Sequence, residues 1–176
     1  MSTVDTPSGF KPFGEFSRPL VPFQPIASNY ATALAVGDAV TLSSGNVQQS
    51  GATDTIDGII IALHDSNGLA CSQGYSPAST AGYATLCTDH NQLWVIQSDG
   101  VGSDLAATDV GKTYKTTVGT IDSTTGISAF ELDASETNAT AYQLELIGKV
   151  DSPSSPQNTW GGTVDCIVRI KLHSEV

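Results

Sequence analysis

Residues 164–173 read VDCIVRIKLH, and this closing stretch carries the pattern that decides the fold. Apolar residues occupy every second position from Val164 to Leu172, and charged residues such as Asp165 and Arg169 fill most positions between them, apart from Ile167. Alternation with a period of two predicts a β-strand that buries one face and leaves the other in solvent.

Similar short runs recur from residue 30 onward, separated by Gly, Ser, Asn and Asp. We predict further strands at residues 30–36, 39–42, around 47, 57–64, 83–87, 92–97, 112–118, 127–132 and 142–150, with long loops at 65–82 and 151–163. Residues 30–36 also fit a helix capped by Gly37, but their period-two alternation favours a strand. Strands that follow one another without helices indicate an antiparallel β-barrel or β-sandwich.

Composition supports one all-β domain. The chain has 176 residues, only 14% of them charged, with seven Lys plus Arg and one Met. This length suits a single domain with an appendage. Long amphipathic helices would lack the side chains that usually form their solvent face, so an α-rich fold is not expected.

The first 29 residues differ from the rest. Five of the eight prolines and four of the five phenylalanines lie within the first 25 residues. Proline at this density disfavours helices and central strands and favours extended backbone. We therefore divide the chain into an extended N-terminal arm, residues 1–29, and a β body, residues 30–176.

The phenylalanines predict that the arm binds a groove. Phe10, Phe13 and Phe16 recur every three residues, which aligns them along one edge of a polyproline-like helix. The groove could belong to the chain's own body, a neighbouring copy or a different protein, with the last two favoured. Trp94 is expected in the core, whereas Trp160 lies in a Gly- and Asn-rich loop that suits an exposed contact. The candidate partner-binding residues are Phe10, Phe13, Phe16, Pro19, Pro22, Phe23 and Trp160.

Charge and cysteine content limit the possible partners. The net charge is −11, and residues 1–30 are neutral, so the body repels nucleic acid. No apolar run approaches a membrane span and no secretory signal is visible, so we expect a chain made in a cytoplasm, without a membrane partner. The three cysteines lack a C-x-x-C spacing and should be reduced and mostly buried; a Cys71–Cys87 disulfide is the alternative.

No pattern nominates an active site, so we expect no enzyme, no catalytic residues and no cofactor. The nucleophile elbow G-x-S-x-G and the phosphate-binding glycine motifs are absent. Cys87 and His90 form a C-x-x-H pair that His64 or Cys71 could complete as a zinc site, but the spacing is weak. Acidic residues recur every five positions at Asp99, Asp104 and Asp109, and a solvated loop is favoured over a calcium site. No metal is expected.

Several short motifs together resemble the head decoration, or cement, proteins of tailed bacteriophages. They are the Pro- and Phe-rich arm, residues 36–40 (VGDAV), 57–60 (DGII), 147–151 (IGKVD) and the closing strand 164–170 (VDCIVRI). The resemblance implies a protein on the capsid exterior of the virion, a homotrimer that binds the major capsid protein and ties its subunits together. A carbohydrate-binding β-sandwich, with Trp94, Trp160 and Tyr75 as stacking platforms, is the alternative from another class, and a tail or fibre component is a third.

Overall fold

The computed structural model describes residues 5–16, 20–138, 142–151 and 158–173. These residues form strands, one 3₁₀ turn at Ala107–Asp109 and connecting loops, so the predicted all-β fold is confirmed. The described residues include no helix long and apolar enough to cross a membrane. The strands are β1 (Lys11–Pro12), β2 (Leu20–Ile26), β3 (Leu34–Ala35), β4 (Ala39–Ser43), β5 (Asn46–Gln49), β6 (Gly58–Asp65), β7 (Tyr75–Ser76), β8 (Gly82–Cys87), β9 (Leu93–Gln97), β10 (Thr113–Val118), β11 (Phe130–Asn138), β12 (Leu144–Lys149) and β13 (Asp165–Ile170).

The larger sheet has six strands in the order β1-β9-β13-β12-β10-β11, all paired antiparallel. Just beyond β9, Ser98 forms a parallel bridge with Leu132 of β11, so the sheet curls toward closure. As predicted, β13 is half-solvated: Cys166 and Val168 are fully buried, whereas Arg169 is exposed and paired with Glu145 at 2.6 Å.

The smaller sheet has five strands in the order β2-β8-β6-β4-β5. A two-residue turn at Ser44 and Gly45, both with positive φ, joins β4 to β5, as tight hairpins require. A separate ribbon pairs β3 with β7. The predicted strand at residues 30–36 is therefore shorter than expected, because Tyr30 closes a turn onto the carbonyl of Ala27 at 3.0 Å.

Two hydrophobic clusters hold the sheets together. The larger cluster contains Trp94, Tyr114, Phe130 and most inward residues of the six-stranded sheet, together with Ile59 and Cys87 from the smaller sheet. The other cluster takes Ile60, Leu63 and Leu86 from the same smaller sheet. Residues 58–63 read GIIIAL because β6 contributes to both clusters, and a strand buried on both faces needs a continuous apolar run.

The N-terminal segment supplies one edge strand to each sheet. Strand β1 pairs with β9, and β2 pairs with β8. Proline suits these positions because an edge strand has one side without ladder partners. An extended arm separate from the body is thus not confirmed, because Lys11–Pro12 and Leu20–Ile26 pair with strands of their own chain.

Two further expectations concern the start of one strand and the state of the cysteines. The strand predicted at residues 127–132 begins later, at Phe130, because Ile127 forms a bridge with Asp122 in a turn. It then continues to Asn138. All three cysteines are free, as predicted, with Cys87 and Cys166 buried.

Candidate interaction surface

Phe10 is a core residue of this fold. Its side chain is 3% exposed and packs edge-on against Trp94 with ring centroids 6.3 Å apart. Its backbone N–H donates to the carbonyl of Gly37 at 2.9 Å, which fixes the segment against the smaller sheet. Although the sequence placed Phe10 among the partner-binding residues, its ring is not accessible to a partner in this conformation.

Phe13 and Phe16 remain accessible beside the edge of the larger sheet. Each is 40% exposed. The Phe13 N–H donates to the carbonyl of Leu93 at 2.9 Å, so the chain continues along β9 past the end of β1. The Phe16 ring lies edge-on to Trp94, with centroids 6.4 Å apart. The predicted row of three equivalent phenylalanines is therefore divided into one buried ring and two partly exposed rings.

Phe23 lies on the edge of the smaller sheet and is more exposed, at 51%. Its backbone has φ 55°, a left-handed conformation that costs a bulky residue about 1 kcal/mol or more. The register between β2 and β8 shifts at this point, so Phe23 belongs to a β-bulge. Pro22, another predicted contact residue, is exposed next to it.

The remaining predicted contact residues have less accessible or undescribed positions. Trp160 is half-buried and packs against the larger cluster, because its loop is fastened by the hydrogen bond from Leu105 N–H to the carbonyl of Gly161 at 2.9 Å. Pro19 lies outside the described residues. Trp94 is fully buried, as expected for the core, and so cannot serve as a platform for stacking a sugar.

The His64 and Cys71 side chains share a pocket of about 220 Å³ without forming a nucleophilic pair. His64 Nε2 lies 3.2 Å from the Thr85 hydroxyl. Burial, with a smaller contribution from Asp65, raises the pKa of the Cys71 thiol. Because only the thiolate is a strong nucleophile, this environment disfavours covalent catalysis by Cys71.

The zinc pair considered from the sequence is not assembled. His90 stacks on His173 with ring centroids 3.5 Å apart, whereas Cys87 faces the larger cluster. Burial and the neighbouring His173 lower the pKa of His90. Within the described ranges, no group of three or more His, Cys, Asp or Glu side chains could hold a metal ion.

The acidic loop residues form local turns. Asp99 accepts hydrogen bonds from the N–H groups of Val101 and Ala134, both at 3.1 Å. Asp109 accepts from Ala106 N–H at 2.7 Å and pairs with Lys112 at 2.6 Å. Asp109 therefore satisfies a backbone donor of its own loop, whereas Asp99 also fastens its loop to Ala134 of β11. Both carboxylates accept backbone N–H groups, which agrees with the solvated-loop interpretation that the sequence favoured.

The sequence did not identify three residues that the tertiary structure makes unusual. Leu69 is 66% exposed in the loop after β6. Burial raises the pKa of Asp38 to about 6, and burial with the nearby Asp5 and Asp99 raises the pKa of Glu131 to about 7. Spacing alone gave no signal for Asp38 and Glu131, because their environments include residues distant in the chain, such as Ser128 beside Asp38 and Asp5 near Glu131. Nothing in the local sequence distinguished Leu69 from other loop residues.

No family model, curated protein or solved structure matches this chain. We therefore infer function from the fold and from the side chains that it leaves exposed. Among the described residues nine large apolar side chains are exposed, and the N-terminal segment supplies three of them, Phe13, Phe16 and Phe23.

Proposed function

We propose that this chain is a structural protein of a virus particle, which binds the outer surface of an assembled phage capsid as a homotrimer and ties neighbouring major capsid subunits together. The observation that carries the proposal is the exposure of Phe13 and Phe16 beside the edge of a β body that already has two filled hydrophobic clusters. Exposed aromatic side chains that a core does not need are typical of protein contact sites.

Modest contacts suffice for such a protein. Phe13 and Phe16 are each 40% exposed, and hiding the rest of a phenylalanine from water contributes a fraction of the roughly 1.5–3 kcal/mol expected for a whole side chain. In a trimer, the second and third contacts form at the high effective concentration that the first one creates. The net charge of −11 keeps many copies from aggregating before assembly.

Point variants test this proposal better than truncation, because removing residues 1–25 would delete β1 and most of β2. The test is co-sedimentation with shells assembled from the major capsid protein of the same viral genome. We expect a Phe13→Ser/Phe16→Ser double variant to remain folded and to bind at least about tenfold more weakly than wild type.

Val110→Ser is the matched control, since Val110 is 46% exposed in the loop before β10. It should bind shells like wild type. Failure of the wild-type protein to co-sediment with shells, or the absence of capsid genes around the gene for this chain, would remove the proposal. Images of decorated shells would show whether the bound copies are trimers.

A further inference from the structure

A second exposed apolar surface lies on the smaller sheet, away from Phe13 and Phe16. We call it the Phe23 surface; it consists of Phe23, His64, Leu69 and Tyr83. The Phe23 ring lies 4.9 Å from the His64 ring and 5.9 Å from the Tyr83 ring, centroid to centroid. A Cβ atom at Gly68 would lie 3.6 Å from the Phe23 ring, so the loop that carries Leu69 approaches the aromatic group at the residue before Leu69.

Leu69 is presented by a rigid turn. The Asp65 carboxylate accepts hydrogen bonds from Asn67 N–H at 2.8 Å and Leu69 N–H at 2.9 Å. The Asp65 N–H in turn donates to the Leu69 carbonyl at 2.7 Å. These hydrogen bonds fix the backbone of Leu69 and leave its side chain 66% exposed, so binding a partner would cost little backbone entropy at this turn.

The backbone of Phe23 is strained where a different residue would relieve it. Phe23 adopts φ 55°, a conformation that glycine or asparagine accepts more readily than an aromatic residue. The strain is not needed to fill a core, because half of the side chain is in solvent. A strained, exposed aromatic residue is therefore better explained by a contact outside the chain.

The partner must approach through side chains. Pro22 and Pro25 flank Phe23 on β2, and neither has an N–H group to donate to an added strand. The bulge at Phe23 further interrupts the edge. Addition of a partner strand along β2 is therefore disfavoured. A partner would instead contact the side chains of Phe23 and Leu69.

Charge distinguishes a second copy from a different protein. The chain has a net charge of −11, and five of its seven Lys and Arg residues already lie beside a carboxylate or an aromatic ring within their own chain. The Asp65 carboxylate lies beside the surface, since it accepts the Leu69 N–H at 2.9 Å, and this hydrogen bond is the main cause of its lowered pKa. A second copy would thus meet this surface with like charge.

We propose that the Phe23 surface binds an apolar side chain flanked by Lys or Arg on a different protein. The inference rests on the proposed function for the identity of that protein, the capsid subunit. The partner's apolar group contacts Phe23 and Leu69, and its basic neighbours face Asp65.

The first test uses two short capped peptides, one with a leucine between two arginines and one with a leucine between two glutamates. Amide NMR spectra of the full chain are recorded with each peptide. We expect the arginine peptide to shift the signals of residues 23, 64–69 and 83, and added salt to weaken the effect. The absence of shifts, or equal shifts with the glutamate peptide, would overturn the proposal.

The variants are Phe23→Asn, which tolerates the left-handed backbone, and Leu69→Ser. Val101→Ser is the matched control, because Val101 is 61% exposed in a different loop. We expect both surface variants to remain folded and to lower affinity for capsid shells at least about tenfold, with the control unchanged. The two variants keep the test valid even if one of them misfolds.

The outcomes separate this inference from the proposed function. If wild type binds shells and both surface variants bind equally well, the Phe23 surface is not the contact and the proposed function survives. If wild type does not bind shells but the arginine peptide still shifts the surface, the proposed function fails and the partner is another protein. Self-association of wild type that Phe23→Asn abolishes would identify a second copy as the occupant and overturn the inference.

Discussion

Phe10 and Phe23 belong to the same proline-rich segment, yet the fold treats them in opposite ways. Phe10 is 3% exposed among Trp94 and Phe130, whereas Phe23 is 51% exposed. The residue before Phe10 is Gly9, which takes a left-handed φ of 65° at no steric cost, while Phe23 takes such a conformation itself. At Phe10 the backbone is arranged to bury a ring, and at Phe23 it is strained to expose one.

The comparison shows that one segment serves two purposes. Its first part completes the larger cluster and its second part leaves an aromatic ring on the surface. Substitutions at the two ends should therefore act on different properties, stability at Phe10 and binding at Phe23.

The largest effect is expected for Phe10→Ala. Removing a buried phenylalanine creates a cavity between Trp94 and Phe130 and should lower the free energy of unfolding by about 3–5 kcal/mol, measured by urea denaturation. Phe13→Ala, at a 40% exposed position, should cost less than about 1 kcal/mol. Equal losses at the two positions would show that Phe10 does not have the core role assigned to it.

The next effect concerns Asp38, which lies beside the Gly37 carbonyl that holds Phe10. Its carboxyl is protonated in both states below pH 3.8, but above that pH the unfolded chain ionises first, because burial raises the folded pKa to about 6. The free energy of unfolding should therefore fall by about 3 kcal/mol as the pH rises from 3.8 to about 6, and it should stay lower at higher pH.

Asp38→Asn should remove this fall and be more stable than wild type at pH 7–8, provided that Asn still accepts the Ala35 N–H bond of 2.9 Å. Urea unfolding at several pH values checks the prediction. Glu131→Gln is the matched control. It should remove a different part of the pH-dependent loss of unfolding free energy, the part that extends to about pH 7, because the pKa of Glu131 is raised to about 7. A pH profile that Asp38→Asn leaves unchanged would contradict the assignment.

A smaller loss is expected at Gly9. A Cβ atom there would collide with the Ser128 side chain and lie 2.7 Å from the Gly37 carbonyl oxygen, in addition to the strain of φ 65°. Gly9→Ala should cost about 2 kcal/mol or more. Gly14→Ala has a similar φ of 79° but no atom within 4 Å, so it isolates the backbone strain at about 1 kcal/mol. Thermal unfolding of the two variants measures the difference, and identical melting temperatures would count against the close contact at Gly9.

The smallest effect is expected for Phe23→Asn. Relief of the left-handed strain offsets the loss of the contacts with His64 and Tyr83, so stability should change by less than about 0.5 kcal/mol. Denaturant unfolding beside Phe10→Ala checks this contrast. A loss comparable to that of Phe10→Ala would mean that Phe23 is needed for folding, and the difference between the two ends of the segment would disappear.

Much of the fold was predictable from local patterns. The alternation in residues 164–172 correctly gave a half-solvated strand, and the apolar run at 57–64 correctly gave a buried one. The candidate contact surface was predicted less well. Phe13, Phe16 and Phe23 are accessible to a partner, and their binding role stays a prediction. Phe10 is in the core, Trp160 packs against it, and Leu69 was not identified.

The sequence by itself determined that the chain is built of strands, because side-chain alternation with a period of two is a property of neighbouring residues. It also determined that proline would exclude the N-terminal segment from the sheet interiors. Only the tertiary structure decided which phenylalanines are buried, since Phe10 is covered by Trp94 and Phe130, residues far along the chain that the antiparallel pairing brings to it. Burial depends on these distant contacts, and no local pattern encodes them.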